Sequence, residues 1–413
     1  MIIKIIFLLL KDPIDKLNNN DSEDTNELLK EEPLFTEKED HPSNSMKELP
    51  SNELVEYEKA LEFLDKLLMV NPDDPKLYYE KGFFFEIAQK YQEAIKSFDQ
   101  AINLDKNFFE AWYRKGLALI NLEKYHEAIK SFDQALTIKP LNINSLNEKG
   151  YSLNKIGLYE QAAESYEKVL KINPDDIRAL NNKGVALANN NSAKDAIYYY
   201  DLALNIKPDD FNALTNKGVA LASLGKYEDA IYYYDLALSI KPYDINALNN
   251  KGVALAGLGR YDDALYYYNS AINIDSAVAK TYYNKGITLA NVSQFEEAIE
   301  CYDYVLRINP DFLDAYYNKA VALGSLDKHQ DAIIYYDEVI YRNSEYITAY
   351  YGKGYSLDCL QRYEEAIKCY DQVIRINPDY VDAYYGKGKA LEKLGMNSEA
   401  TKYLTIAKKL KTI

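Results

Sequence analysis

Gly82, Gly116, Gly150, Gly184, Gly218, Gly252 and Gly286 stand 34 residues apart, and the register runs on through Ala320 to Gly354 and Gly388. No insertion or deletion breaks this period over ten units, from Pro75 to Ile413. A chain repeating at this spacing stacks small supersecondary units, each of which covers its neighbour's apolar face. With that glycine counted as position 8, position 20 is alanine in all ten units, and position 24 is aromatic in nine. Position 11 is leucine except at Phe85, and Pro140, Pro174, Pro208, Pro242, Pro310 and Pro378 occupy position 32. At 100° per residue, positions 4, 8 and 11 share one face of a first helix, and 20, 24 and 27 one face of a second. Small residues at 8 and 20 are expected to let the two helices approach closely, and proline at 32 to end the second.

This pattern resembles the tetratricopeptide repeat, TPR. Trp112, Gly116 and Leu119 stand where that family's W, G and Y fall, with leucine for the usual tyrosine at position 11. The resemblance implies an all-α solenoid, a right-handed superhelix of antiparallel helix pairs over residues 75–413. Ahead of it, residues 53–74 read as a helix left from a decayed half repeat, since Ala60 keeps phase and Pro72 marks its end. Residues 11–52 read as a disordered acidic tail, and residues 1–10 as a short apolar N-terminus.

Composition narrows function. The chain has 48 basic and 64 acidic residues, net −16, and residues 11–54 alone carry 13 acids against 5 bases. An acidic chain without basic clusters is a poor nucleic-acid binder. The ten apolar residues at the start are too few to span a bilayer. A cytoplasmic location is therefore expected, with membrane association through residues 1–10 as the alternative. Cys301, Cys359 and Cys369 form no C-x-x-C pair, and the three histidines, His41, His126 and His329, are scattered. No catalytic, metal or cofactor constellation emerges, so neither an enzyme nor a small-molecule substrate is expected.

The resemblance places function on the face of the first helix opposite its core stripe, which in TPR proteins lines a concave peptide-binding groove. Position 6 there reads Asn182, Asn216, Asn250, Asn284 and Asn318 in five successive repeats, and position 5 adds Asn147, Asn181 and Asn249. An amide offers a donor and an acceptor, so such a ladder suits the main chain of an extended peptide. It is similar to the asparagine ladder in the TPR superhelix of O-GlcNAc transferase. Val185, Val219 and Val253 at position 9 flank it, while Tyr283, Tyr317 and Tyr351 at position 5 are expected to favour apolar or aromatic ligand side chains. The family's two-carboxylate clamp for acidic tails needs lysine at position 5 and asparagine at 9, and this chain has neither in one repeat. The resemblance thus implies a scaffold that binds extended segments of other proteins. Alternative readings are a substrate-recruiting subunit of an enzyme complex, such as a glycosyltransferase, and an envelope-associated assembly factor.

Three further features stand out. Lysine fills position 7 in all ten repeats and is expected to lay its stem on the core margin, its amine reaching outward to pair with acids at positions 19 and 25. Repeats 4 to 6 carry tyrosine triplets. Their last member is expected in the core, the middle one half covered, and Tyr198, Tyr232 and Tyr266 outward as a convex contact stripe. Repeat 4 replaces the usual turn with "NNSA", a soft joint, and self-association through the uncapped last helix is a further expectation.

Overall fold

The computed structural model describes residues 51–411, with side chains from Glu58 onward. The apolar start and nearly all of the acidic tail lie outside these residues. Among the described residues all regular structure is helical, 21 helices with no strand. The first, α1, spans Ser51–Val70. Each repeat then contributes helix A over positions 1–13 and helix B over positions 17–30, for example Phe211–Ser223 and Tyr227–Ile240 in repeat 5.

The chain forms two compact units, one ending at Asn190 and the other starting at Asn191. The division falls inside the "NNSA" turn, so helices A and B of repeat 4 belong to different units. Unit 1 stacks α1 and repeats 1 to 3 with helix A of repeat 4, and unit 2 stacks the rest. Within each unit, successive A helices bring Cα atoms within 8 Å of one another and successive B helices do not. The A row therefore lies on the inner side of each stack.

The core is one motif repeated. Alanine 20 is fully buried in every repeat, and the position-24 ring, Phe98, Phe132 or Tyr166 through Tyr370, lies beside it. Position 8 is small for a sharper reason than helix approach: the position-24 ring occupies that space. A Cβ built on Gly218 would lie 2.5 Å from the Tyr234 ring, and one on Gly116 2.5 Å from Phe132. α1 serves as the missing helix B ahead of repeat 1, packing Ala60 and Leu64 against Phe84.

Every described A–B turn places position 15 in the left-handed region. Gly157, Gly225, Gly259 and Gly395 do this freely, whereas Gln89, Glu123, Asn191, Ser293, Asp327 and Gln361 do it at φ of 57–64°. Outside repeat 4 the turn is a Schellman closure, in which the position-16 N–H donates to the position-11 carbonyl, as Lys124 does to Leu119 at 2.9 Å. A side chain bearing Cβ is strained there. Glu123→Gly should therefore stabilise its repeat by about 0.5–1 kcal/mol, and Gly225→Ala should cost a similar amount. Thermal unfolding followed by circular dichroism reads both signs, and a lower midpoint for Glu123→Gly would contradict the strain.

Entry into helix A has two solutions at position 34, except at Val278, which neither caps nor stacks. Asp74, Asn142, Asp176, Asp210 and Asp244 cap the following helix through their side chains, as Asp210 accepts from the Ala213 N–H at 3.0 Å. Phe108, Phe312, Tyr346 and Tyr380 give up that cap and pack as rings instead.

Candidate functional site

The inner face of the A row carries the position-6 amides in different states of engagement. Asn284 Nδ2 donates to Asn249 Oδ1 at 3.0 Å, and Asn318 Nδ2 donates to the Tyr283 hydroxyl at 2.9 Å. Both bonds run 35 residues back, from position 6 of one repeat to position 5 of the repeat before. The preceding repeat thereby fixes the plane of each amide. Asn250 Oδ1 accepts from Asn249 Nδ2 at 3.4 Å. Asn216, Asn250, Asn284 and Asn318 are half-buried.

Position 5 behaves differently. Asn249 is buried and orients Asn284 from beneath, and Asn147 in unit 1 is buried as well. Val219, Val253 and Val321 at position 9 are exposed, and Val185 is half-buried. Tyr283, Tyr317 and Tyr351 are half-buried against the position-24 rings and the position-34 aromatics. Sequence reasoning missed those position-34 partners. A signal existed: repeats 1, 7, 8 and 9 each join a tyrosine at 5 to an aromatic residue at 34.

In unit 1, Asn181 and Asn182 are half-buried on helix A of repeat 4. Earlier repeats replace the amide by charges that satisfy each other. Arg114 lies 3.5 Å from both Glu86 carboxylate oxygens and 4.5 Å over the Phe83 ring, and Arg178 donates to the buried Glu148 at 2.8 Å.

The position-7 lysines do not reach outward. Each contacts position 25 of the preceding repeat, as Lys115 does with Asp99 at 2.6 Å and Lys285 with Asn269 at 2.8 Å. In repeats 5, 6 and 8 the ammonium also donates to the position-23 hydroxyl, Tyr233, Tyr267 or Tyr335, at 2.6 Å. Where position 23 is tyrosine, the lysine side chain is 7–10 % exposed, as at Lys217, Lys251, Lys319 and Lys387. Where it is serine or cysteine, as for Lys81, Lys115, Lys149 and Lys353, exposure is 20–24 %. In repeats 5 and 6 the middle triplet tyrosine thus lids an inter-repeat ion pair. The last, Tyr200, Tyr234 or Tyr268, is buried, and Tyr198, Tyr232 and Tyr266 are 59, 58 and 66 % exposed. Each outer ring meets its middle neighbour edge-on, with centroids 5.2 Å apart.

Cys359 faces solvent, and burial followed by the nearby acids Asp358 and Asp327 raises its thiol pKa, the wrong direction for a nucleophile. Among the described residues no cluster of three or more His, Cys, Asp or Glu could hold a metal ion, and no helix is long and apolar enough to cross a membrane.

Models of the tetratricopeptide repeat match residues 109–142, 147–211, 209–277, 279–312 and 313–346, and a TPR repeat model matches 87–122 and 360–395. No protein of curated function matches the chain. A tetratricopeptide repeat protein from Parabacteroides merdae is similar in fold, with TM-score 0.54 at 17 % identity, covering 60 % of this chain and 98 % of its own. One chain of the APC/C hetero-tetramer Cut9–Hcn1 is similar in fold over 82 % of this chain and 81 % of its own, with TM-score 0.51 at 13 % identity. With tandem A–B pairs, the position-8 glycine under the position-24 ring and family models spread over most of its length, this chain belongs to the tetratricopeptide-repeat family.

Proposed function

We propose that this protein is a non-catalytic scaffold that holds extended segments of partner proteins on the inner face of its A helices. The observation carrying this reading is the fixed orientation of Asn284 and Asn318 by the repeat before each. Amides held in this way present donor and acceptor groups at little entropic cost on binding. Beside them, the exposed valines at position 9 offer shallow apolar contact without demanding a particular side chain. The main chain of an extended segment, with one donor and one acceptor per residue, matches that surface.

The test replaces Asn182, Asn216, Asn250, Asn284 and Asn318 together by alanine. Each lost hydrogen bond is worth about 0.5–1.5 kcal/mol, so partner recovery in pull-downs from native extract should fall about tenfold or more. Circular dichroism must show the helices intact. Unchanged recovery from a folded variant would remove the ladder from the binding surface.

A further inference from the structure

In repeats 7 to 10 the inner face changes character. Tyr283, Tyr317 and Tyr351 pack against Phe312, Tyr346 and Tyr380 with ring centroids 4.8, 5.4 and 5.4 Å apart. Two exposed carboxylates stand at position 2 of A helices: Asp314, within hydrogen-bond reach of Tyr346, and Asp382, two residues beyond Tyr380 on the helix that Tyr380 opens. The Tyr346 hydroxyl donates to Asp314 Oδ1 at 3.2 Å. Burial raises the pKa of Tyr346 to about 12 and Asp314 adds to the rise, while burial and then Asp382 raise Tyr351 and Tyr380. Among the described residues neither aspartate has a basic partner. An exposed carboxylate with no base, set against aromatic rings, offers an ammonium or guanidinium both a charge-assisted hydrogen bond and a π face.

We infer that repeats 7 to 10 recognise a basic extended segment, seating one lysine or arginine at Asp314 with Tyr317 and Tyr346, and a second at Asp382 with Tyr351 and Tyr380. The inference rests on the proposal that the inner face binds extended segments, and it changes the expected occupant of the tyrosine row from apolar or aromatic to cationic. The two aspartates are two repeats apart, roughly 20 Å at about 10 Å per helix pair. An extended chain advances about 3.3 Å per residue, so the two basic residues stand about six positions apart. The chain's net charge of −16 attracts such a partner from a distance.

Fluorescence anisotropy on the full chain tests this with three labelled peptides of Gly/Ser background, about twelve residues long. They carry two lysines, two norleucines or two glutamates about six positions apart. The lysine peptide should bind about tenfold or more tighter than the norleucine peptide. Asp314→Asn with Asp382→Asn should bring it down to the norleucine level while leaving norleucine binding unchanged. Asp262→Asn with Glu296→Gln makes the same charge change at exposed sites in the first turns of B helices and should leave the preference intact. Equal binding of lysine and norleucine peptides, loss of preference in that control, or no binding by any peptide overturns the inference. The five-asparagine variant separates the two readings. If only the ladder proposal is wrong, that variant keeps full affinity and the lysine preference persists; if only this inference is wrong, affinity still depends on the asparagines but not on lysine.

Discussion

Above pH 10 the protein is expected to lose its helices and ionise its buried phenols in one transition. Tyr166, Tyr200, Tyr234, Tyr268, Tyr302, Tyr336 and Tyr370 fill position 24 in seven successive repeats, and all are buried. Burial pushes each of these phenols above the ordinary 10, to about 12 for Tyr268, where a hydrogen bond with Thr288 pulls back. Cys301 and Cys369 are pushed by burial up to about 11. Lys217, Lys251, Lys319 and Lys387 feel burial downward, but hydrogen bonds to the preceding carboxylate and to the position-23 hydroxyl outweigh it and raise them. All these groups hold the proton more firmly folded than unfolded. Their contribution to stability is complete below their unfolded values, about 8.5 for cysteine and about 10 for tyrosine and lysine, and is lost as pH climbs through the folded ones. Stability is therefore flat with respect to these groups near neutrality and falls steeply on the alkaline side.

Tyrosinate absorbance and far-ultraviolet circular dichroism measured on one alkaline titration check this. Part of the absorbance rise should coincide with helix loss, and replacing Tyr200, Tyr234 and Tyr268 by phenylalanine should move that transition to higher pH. Complete phenol ionisation with the helices intact would show that water reaches the position-24 rings.

The helix pairs and their core positions were legible because a repeat shows its constraints ten times over. Tyr200 is buried and Tyr198 exposed because a helix turns 100° per residue, and no tertiary knowledge is needed to say so. What escaped the sequence involves contacts across a repeat junction. Lys251 meets Asp235 from the repeat before and Tyr267 from its own, so no single helix phase brings the three together. The sequence points the lysine at the acids of position 25, where it pairs, but helix A alone puts it on a margin and does not show that the B helix of its own repeat closes over the pair. The same holds for the ladder. Asn284 and Asn249 are 35 residues apart, and only the stacking of A helices shows that one amide orients the other. The need for a small residue at position 8 shows in the sequence, but its cause, a ring from helix B, shows only in the packed pair.

Asp235→Ala is expected to cost more than Asp133→Ala, although both remove the position-25 acid of one repeat. At the Asp235 junction, Tyr267 lids Lys251, so loss of the carboxylate leaves an ammonium under a ring with one hydroxyl for company. At the Asp133 junction, Ser165 stands where that tyrosine would be, and Lys149 can turn to water. A buried polar group stripped of its partner costs about 1–3 kcal/mol, whereas an exposed ion pair is worth about 0–1 kcal/mol. The lower part of the first range applies, because the Asp235 side chain is itself 53 % exposed. An array of this kind has no single unfolding free energy, since each repeat opens against its neighbours. Native-state hydrogen exchange is therefore the measurement, read on Tyr227–Ile240 and Ile245–Gly257 for one variant and on Tyr125–Ile138 and Ile143–Lys155 for the other. Exchange should accelerate about tenfold in the first pair and only a few-fold in the second. Adding Tyr267→Ser to Asp235→Ala opens the lid and lets water reach Lys251, so part of the protection should return. Equal acceleration at both junctions would mean that the tyrosine lid contributes nothing to the pair beneath it.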